Sequence, residues 1–206
     1  MTHRQEDATD ASLTLLQHLA ARQNVAPKRL VPPGPTDAQL KLIFTAASHA
    51  PDHGRLQPWR FIVVPATQRA LLGQAFVTAL EQRDAHPSTE QREAAYEKAF
   101  RAPCLMLAVI NATPSDPMVP LTERLISLGC AIQNMLLMAE TLSIGSGITS
   151  GQAMNAPSIR ALFELTADEE GVCFINFGTV SARKPPRTRA TPESFVSSLP
   201  AQVNLA

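Results

Sequence analysis

Two histidines lie at the head of a loop that leads into an apolar run. His49 and His53 stand four residues apart around the segment "APDHGRLQPWRFIVV", residues 50–64. On a continuous helix this spacing would place two imidazoles on one face, where they could bind a metal ion. Pro51 lies between them and breaks helical geometry, and no third ligand is close in sequence. We therefore predict no metal site, and the histidines need another role.

The chain also lacks the usual patterns of nucleophilic catalysis. The serine pattern GxSxG is absent, and the three cysteines (Cys104, Cys130 and Cys173) stand in apolar surroundings without a CxxC pair. Such cysteines are typical of free, buried thiols in a reducing compartment. The glycines of "GSGITSG", residues 145–151, do not have GxGxxG spacing and predict a helix end followed by a glycine-rich loop. We predict no catalytic nucleophile or general base.

Basic residues beside amide side chains are better candidates for binding. Arg22 is followed by Gln23 and Asn24, and a second basic cluster near the C-terminus consists of Arg183, Lys184, Arg187 and Arg189. Arginine forks assisted by amide or hydroxyl donors suit a phosphate monoester. The alternative is that each group is a solvated surface charge, and the residues alone leave both interpretations open.

Helical elements follow from apolar periodicity and capping residues. Leucines at 13, 15, 16 and 19 predict a first helix that ends near "RQNVAPKRL". Thr36 and Gln39 predict a capping box for a second helix, which must end at or before Pro51. Further helices are predicted in residues 67–82, 88–100 (more exposed) and 156–165.

The longest periodic segment has apolar residues in steps of four and three, at Leu121, Leu125, Leu128, Ile132, Met135, Ala139 and Leu142. Toward its end this helix becomes apolar nearly all round, which is typical of a core element or a subunit interface. Gly129 and Ala131 would let another backbone approach closely.

Three short apolar runs predict buried strands. They are "RFIVV", "PCLMLAVINA" and "GVCFINFGTV", at residues 60–64, 103–112 and 171–180. We expect "RFIVV" to be covered on both faces because it is uniformly apolar. The order of strands and helices indicates a mixed α/β layer fold.

Composition limits the possible functions. The 206 residues fit one domain, which we place at 1–206 with a polar leader at 1–11 and a C-terminal extension at 182–206. The 18 basic residues balance 18 acidic ones, so a polyanion partner such as nucleic acid is not expected. The polar start does not resemble a signal peptide, and the longest apolar run is too short for a membrane span. We expect a cytoplasmic protein with no membrane partner.

Five segments together resemble the FMN-dependent nitroreductase family. They are "ARQNVAPKRL", "APDHGRLQPWRFIVV", "FRAPCLMLAVI", "LGCAIQNMLLMAETLSIGSGITSG" and "FINFGTVS", and the similarity covers roughly residues 12 to 199. The most specific part is APDH followed by QPW, which resembles the minimal-length branch of NAD(P)H nitroreductases.

The resemblance implies a set of FMN contacts. Arg22 matches the first residue of an Arg-Arg-Ser type phosphate motif, while Gln23 and Asn24 replace the second arginine and the serine. This departure removes one positive charge, although both amides can donate hydrogen bonds, and Arg189 or Arg187 is placed to supply charge. By the same resemblance, His49 (often arginine in relatives) and His53 contact flavin from the partner subunit.

The loop after the long helix is a further flavin contact in relatives, and it maps onto Thr149, Ser150 and Gly151. An aromatic residue often occupies the position of Thr149, so its replacement would open the pocket. Pro58 and Trp59 are interpreted as structural, and Arg55 either touches cofactor or faces solvent.

The implied fold is α+β, a nitroreductase-like α/β/α sandwich with a mixed central sheet flanked by helices, assembled as an intimate homodimer with FMN at the interface. The implied activity is an oxidoreductase that takes hydride from NAD(P)H and reduces an electron-poor acceptor, such as a nitroaromatic or a quinone, by a ping-pong mechanism. Two alternatives remain open: a flavoenzyme of the same fold with dehydrogenating or ring-fragmenting chemistry, and a non-enzymatic flavin-binding dimer.

Overall fold

The computed structural model describes residues 2–113, 118–185 and 187–199, with side chains from residue 10 onward. The helices in these ranges are α1 Thr2–Ala21, α2 Asp37–Ala47, α3 Arg69–Glu81, α4 Thr89–Tyr96, α5 Leu121–Thr141 and α6 Pro157–Leu162. The strands are β1 Leu30–Val31, β2 Trp59–Val63, β3 Cys104–Asn111, β4 Gly145–Thr149 and β5 Glu169–Val180. None of the described helices is long and apolar enough to cross a membrane. The predicted C-terminal extension has one short 3₁₀ turn at Pro192–Ser194, while residues 186 and 200–206 lie outside the described ranges.

The predicted capping box of α2 is confirmed. The Thr36 hydroxyl accepts a hydrogen bond from the backbone N–H of Gln39, and the Gln39 side chain accepts one from the backbone N–H of Thr36. Two otherwise unpaired N–H groups of the first turn are thereby satisfied. The helix ends at Ala47, ahead of Pro51 as predicted.

The sheet has the order β1-β5-β3-β2, and β4 pairs with β5 along Phe174–Gly178. These ladders are antiparallel, and a parallel link is provided by the isolated bridge between Asn24 and Ser146. That bridge ties the segment after α1 to β4.

Alternating side chains of β3 divide the core into two layers. Met106, Ala108 and Ile110 pack with α2 and α5 on one face, whereas Leu105, Leu107 and Val109 pack with α3 and α6 on the other. A strand with both faces covered reads as a continuous apolar run, which explains "CLMLAVI". The predicted sandwich, with helices on both sides of the sheet, is confirmed.

Two local predictions are wrong. The run "RFIVV" is not covered on both faces, because β2 is the edge strand and leaves Val63 42% exposed and Arg60 in contact with solvent. The segment "GSGITSG" is not wholly a loop, because Gly145–Thr149 form β4. Its glycines allow close packing: a Cβ on Gly145 would collide with Val180, and one on Gly147 with the carbonyl oxygen of Val25.

The long helix α5 has a buried part and an exposed part. Leu128, Ile132, Met135 and Ala139 of the predicted stripe lie in the core. Near the start of the helix, Leu125 is 40% exposed and its neighbour Ile126 is 64% exposed. The periodicity therefore predicted the helix correctly, and its first half presents apolar surface outward.

Candidate functional site

A cavity of about 300 Å³ opens on the face of the sheet that carries α3 and α6. Its apolar lining comes from Phe76, Leu105, Met154 and Phe174. Its polar lining comes from two places: Thr149, Ser150 and Gly151 at the end of β4, and Arg83, Lys98 and Arg101 from the segments around α3 and α4. An apolar floor with convergent polar groups is typical of a small-molecule site.

The β4 wall of this cavity is held by the segment after α1. The backbone N–H of Ile148 donates to Asn24 Oδ1 over 2.7 Å, and the N–H of Val25 donates to the carbonyl of Ser146 over 2.8 Å. From β5, the buried Asn176 amide donates to the carbonyl of Gly147 and to the Thr149 hydroxyl, both at 3.2 Å. The end of β4 is therefore fixed from both sides.

The loop that follows β4 keeps backbone donors available. None of the hydrogen bonds found among the described residues uses the N–H groups of Ser150 or Gly151, and both residues are exposed. Two N–H groups beside an apolar floor can bind a carbonyl or an anionic oxygen.

The predicted phosphate motif lies at the end of α1, next to β4. Arg22 is half-buried, and the side-chain amide of Gln23 donates to the carbonyl of Lys184 over 3.0 Å. This bond brings Lys184, of the basic C-terminal cluster, to the motif, and the contribution of Arg187 or Arg189 stays a prediction. Arg189 itself is exposed. Both amides thus bind backbone in this chain: Gln23 as a donor to Lys184 and Asn24 as an acceptor from Ile148.

His49 and His53 are exposed and line no part of the cavity. His53 Nδ1 lies 2.7 Å from Glu123 Oε2 in the first turn of α5, an ion pair when the imidazole is protonated. The structure therefore brings Arg22, Gln23 and Asn24 next to β4 but leaves both histidines apart from them within one chain.

The loop that carries His53 has an unusual backbone. Gly54, Arg55 and Gln57 have φ of 66°, 56° and 44°, in the left-handed region. The Asp52 carboxylate accepts a hydrogen bond from the N–H of Gln57 over 2.7 Å, which stabilises the turn. Such a cluster of left-handed residues is found where a loop must present side chains in a defined direction. Arg55 is exposed.

The interpretation of Trp59 as structural agrees with its contacts. Its indole N–H donates to the Ser127 hydroxyl on α5 over 2.9 Å, and its ring packs against Phe61. The buried Pro58 precedes it. Together they anchor the loop to β2 and α5.

The sequence reasoning missed the three cations of the cavity. Arg83 follows α3, and Lys98 and Arg101 lie between α4 and β3. Partial desolvation, and then the charges of Arg101 and Arg83, lower the pKa of Lys98. The spacing of Lys98 and Arg101 just ahead of a buried strand was the available signal. The family resemblance implies that residues 81–99 shape the pocket mouth, but it singles out none of these three cations.

Other chemistry is not supported by these residues. Burial raises the pKa of the Cys104 and Cys173 thiols to about 11, so both are inert at neutral pH. Within the described ranges, no group of three or more His, Cys, Asp or Glu side chains could hold a metal ion.

The fold is that of nitroreductase-like proteins. A nitroreductase-like family protein from Bacillus cereus superposes with a TM-score of 0.77 at 17% identity, covering 90% of this chain and 95% of that one. An FMN-bound nitroreductase from Desulfitobacterium hafniense gives 0.65 at 20% identity, with coverage of 90% and 98%. The FMN- and NADPH-dependent nitroreductase NfnB from sphigopyxis sp. strain HMH gives 0.70 at 18% identity, with coverage of 90% and 99%.

Sequence comparison identifies the family. The model of the nitroreductase family matches residues 19–179. "Putative NAD(P)H nitroreductase YdjA" of Escherichia coli K12 is 32% identical over 153 residues, 73% of this chain and 81% of that protein. "Putative NAD(P)H nitroreductase" of Haemophilus influenzae is 31% identical over 152 residues, 74% of this chain and 82% of that protein. The chain belongs to the nitroreductase family.

Proposed function

We propose that this protein is an FMN-dependent oxidoreductase that takes hydride from NAD(P)H and reduces an electron-poor acceptor, such as a nitroaromatic or a quinone, by a ping-pong mechanism. The observation that carries the proposal is the cavity beside Thr149–Gly151, which combines an apolar floor, available backbone N–H groups and three cations. Its occurrence in a nitroreductase-family chain supports the proposal, as do the names of the fold neighbours, which include FMN-bound and FMN- and NADPH-dependent nitroreductases.

The donors on this chain fit FMN. The phosphate is assigned to Arg22, with further charge from Arg187 or Arg189, since Gln23 holds the C-terminal segment beside the motif. An arginine fork and nearby amide groups suit a phosphate monoester. The remaining Asn24 amide N–H₂ group is a second donor, because only its oxygen is used by Ile148.

Bound FMN would supply the redox chemistry, accepting electrons from NAD(P)H and passing them to the acceptor. Groups of this chain would position FMN and stabilise the negative charge of its reduced ring. The N–H groups of Ser150 and Gly151 would donate to oxygens of the flavin ring, and the Lys98 cation would stabilise negative charge on the reduced ring. The apolar floor at Phe174 and Leu105 would exclude water beneath it. We assign no side chain as nucleophile or general base, and solvent would supply the remaining proton.

We further propose an intimate homodimer in which His49 and His53 reach the FMN of the partner. The support is an apolar surface on two helices, whose exposed members are Leu13, Leu15, Leu16, Leu19, Leu121, Leu125 and Ile126. A contiguous apolar surface of this kind is normally covered by another chain. A Cβ on Gly129 of α5 would meet open space, so a partner helix could approach closely there.

Compartment and domain extent belong to the same proposal. All three cysteines are free thiols, which fits the reducing cytoplasm. We treat residues 1–206 as a single FMN-binding domain.

An absorbance spectrum of the purified protein tests the cofactor. We expect the bands of oxidised flavin, and we expect NADPH or NADH to bleach them. Steady-state oxidation of NADH and NADPH with a nitroaromatic or a quinone then tests the reaction, for which parallel double-reciprocal lines are expected. Flavin without turnover of any acceptor would favour dehydrogenating or ring-fragmenting chemistry, and a colourless protein that takes up no FMN would refute the proposal.

The non-enzymatic alternative has one observation in its favour. The Gln23 amide, which stands where relatives have an arginine, is uncharged, and one of its two N–H groups is already used by the Lys184 carbonyl. If FMN binds but is not reduced by either nicotinamide nucleotide, this alternative gains support.

A further inference from the structure

Three cations share the cavity, and no acid accompanies them. Arg83, Lys98 and Arg101 all belong to the lining, which contains no Asp or Glu. The chain as a whole is neutral, with 18 basic and 18 acidic residues, so this region departs strongly from the average. A cleft with low-dielectric walls and one sign of charge concentrates ligands of the opposite sign.

The charged groups of these residues are not used to hold the fold. Among the described residues, no ion pair or side-chain hydrogen bond involves the guanidinium of Arg83 or the ammonium of Lys98. Arg101 makes only a long contact of 3.5 Å to the carbonyl of Ala94.

Three other arginines have side chains that are bound within the fold. Arg60 and Arg92 form ion pairs with Glu169 and Glu81 at 2.6 and 2.8 Å, and the buried Arg69 donates to backbone carbonyls. Mutual repulsion within the cavity cluster contributes to the lowered pKa of Lys98. A bound anion would relieve this repulsion.

We infer that Arg83, Lys98 and Arg101 form a subsite for an anionic substituent, a carboxylate or a phosphate, on a molecule that reacts at the proposed flavin. The inference rests on the proposed function and adds a substrate class to it. The FMN phosphate is assigned elsewhere, at Arg22, which does not line the cavity. The anion therefore belongs to a reactant, either an aromatic acid that serves as acceptor or the nicotinamide nucleotide.

Arg83 and Arg101 contribute most to the selection of an anionic reactant. Both are exposed at the mouth, and an arginine fork binds carboxylate or phosphate with two parallel hydrogen bonds. Lys98 carries a point charge and is also proposed to stabilise the reduced flavin, so its replacement would confuse the two roles. Losing both forks should weaken binding of an anionic reactant by about tenfold or more.

The test compares reactants that differ in charge. For the acceptor, kcat/KM is measured with 4-nitrobenzoate and with its neutral analogue 4-nitrobenzamide; for the reductant, NADPH is compared with neutral 1-benzyl-1,4-dihydronicotinamide. The double variant Arg83→Gln/Arg101→Gln is compared with the wild type and with Lys41→Gln, which removes an exposed charge on α2. Calorimetry on FMN-loaded protein gives the Kd of 4-nitrobenzoate independently of turnover.

We expect the double variant to lose about tenfold in kcat/KM for one anionic reactant, while values for the neutral reactants and for Lys41→Gln stay within about twofold. A loss confined to 4-nitrobenzoate, with a raised Kd, identifies the anion as the acceptor's; a loss confined to NADPH identifies it as the dinucleotide's. Equal effects on charged and neutral reactants, or a raised FMN dissociation constant in the double variant, would overturn the inference. Failure of the wild type to reduce any nitroaromatic or quinone acceptor, neutral or anionic, would instead count against the proposed function.

Discussion

The cavity beside β4 and the loop at His53 are built in opposite ways. The cavity is concave, and its β4 wall is fixed by hydrogen bonds from Asn24 on one side and Asn176 on the other. The loop at His53 is largely exposed, and His53 Nδ1 lies 2.7 Å from Glu123 Oε2 in the first turn of α5. The same family resemblance assigned residues of both regions to FMN. Within one chain, Thr149, Ser150 and Gly151 line a cavity, whereas His49 and His53 do not.

This difference is what the proposed homodimer, with a site divided between two copies, requires. The loop at His53 has three residues with left-handed φ and is anchored by Trp59. Such backbone strain is often found where a loop presents side chains for a function. The loop contacts the first turns of α5, through Glu123 and Ser127, near the exposed side chains of Leu125 and Ile126. Dimer formation would cover those side chains and place the two histidines against the other copy's cavity. The following variants distinguish the contribution of the cavity beside β4 from that of the His53 loop and the exposed surface of α5.

The largest effect is expected for the wall of the cavity. Gly147→Val would push the new side chain into the carbonyl oxygen of Val25 and separate the segment after α1 from β4. We expect a loss of roughly 3 kcal/mol in the free energy of unfolding, with loss of bound flavin. Thermal unfolding and the flavin spectrum measure both. Gly151→Ala is the matched control, since a Cβ there meets open space; an equal loss in both variants would contradict the packing argument.

The next largest effect is expected for the exposed apolar surface of α5. Ile126→Asp places a charge on the apolar surface of α5, and we expect the dimer dissociation constant to rise by about 100-fold or more, with FMN affinity falling in parallel. Sedimentation velocity over a range of concentrations checks this. Leu71→Asp, at an exposed leucine of α3 on the other side of the sheet, should leave the dimer intact. If Ile126→Asp remains dimeric, the interface has been placed on the wrong helix.

A smaller effect tests the phosphate assignment. Arg22→Ala should weaken FMN binding by roughly 10- to 30-fold because a charge-assisted hydrogen bond is lost, while the dimer persists. Fluorescence titration of apoprotein with FMN gives the constant, and Lys41→Ala serves as the charge control. Unchanged affinity in Arg22→Ala would move the phosphate to another cation.

The smallest effect is expected for an ion pair on the sheet, and its loss should change neither the cavity nor the proposed dimer surface. Arg60 on β2 donates two hydrogen bonds to the Glu169 carboxylate on β5, at 2.6 and 3.0 Å, and thereby spans β3. This bonding holds the pKa of Glu169 below its usual range, so the stabilisation is present above the ordinary carboxyl pKa and is lost as pH falls through the folded-state pKa.

Because the pair is partly exposed, Glu169→Gln should cost only about 1 kcal/mol at pH 7. The difference from wild type should be smaller at about pH 3, because the carboxylate of the unfolded state is protonated there and the stabilisation is being lost. Urea unfolding at both pH values measures it. A difference that is the same at both pH values would mean that packing, not charge, is responsible.

The sequence was most informative where structure is set by near neighbours. The capping box at Thr36, the end of α2 before Pro51 and the helix α5 depend on residues within a few positions of one another, so their patterns could be read directly. The apolar run of β3 likewise predicted a buried strand, which is confirmed.

It was least informative where distant segments meet. Gly145 and Gly147 looked like loop residues because the partners that need their small size, Val180 and Val25, are far away in sequence. Val63 looked buried because an edge strand cannot be told from a central one by composition. Likewise, the convergence of Arg83 with Lys98 and Arg101 depends on how α3 and α4 pack, which no local pattern encodes.

One buried arginine has a consequence for how this protein can diversify. Arg69 is only 5% exposed, and it donates hydrogen bonds to the backbone carbonyls of Val64, Ala99 and Pro103. Two of these carbonyls, at Ala99 and Pro103, flank Arg101, so the backbone that carries this cation of the cavity is fixed from the interior. The exposed side chain of Arg101 can then be exchanged without moving the chain that bears it. If Arg101 belongs to the proposed anion subsite, reactant preference can change through a single surface substitution while the fold is kept.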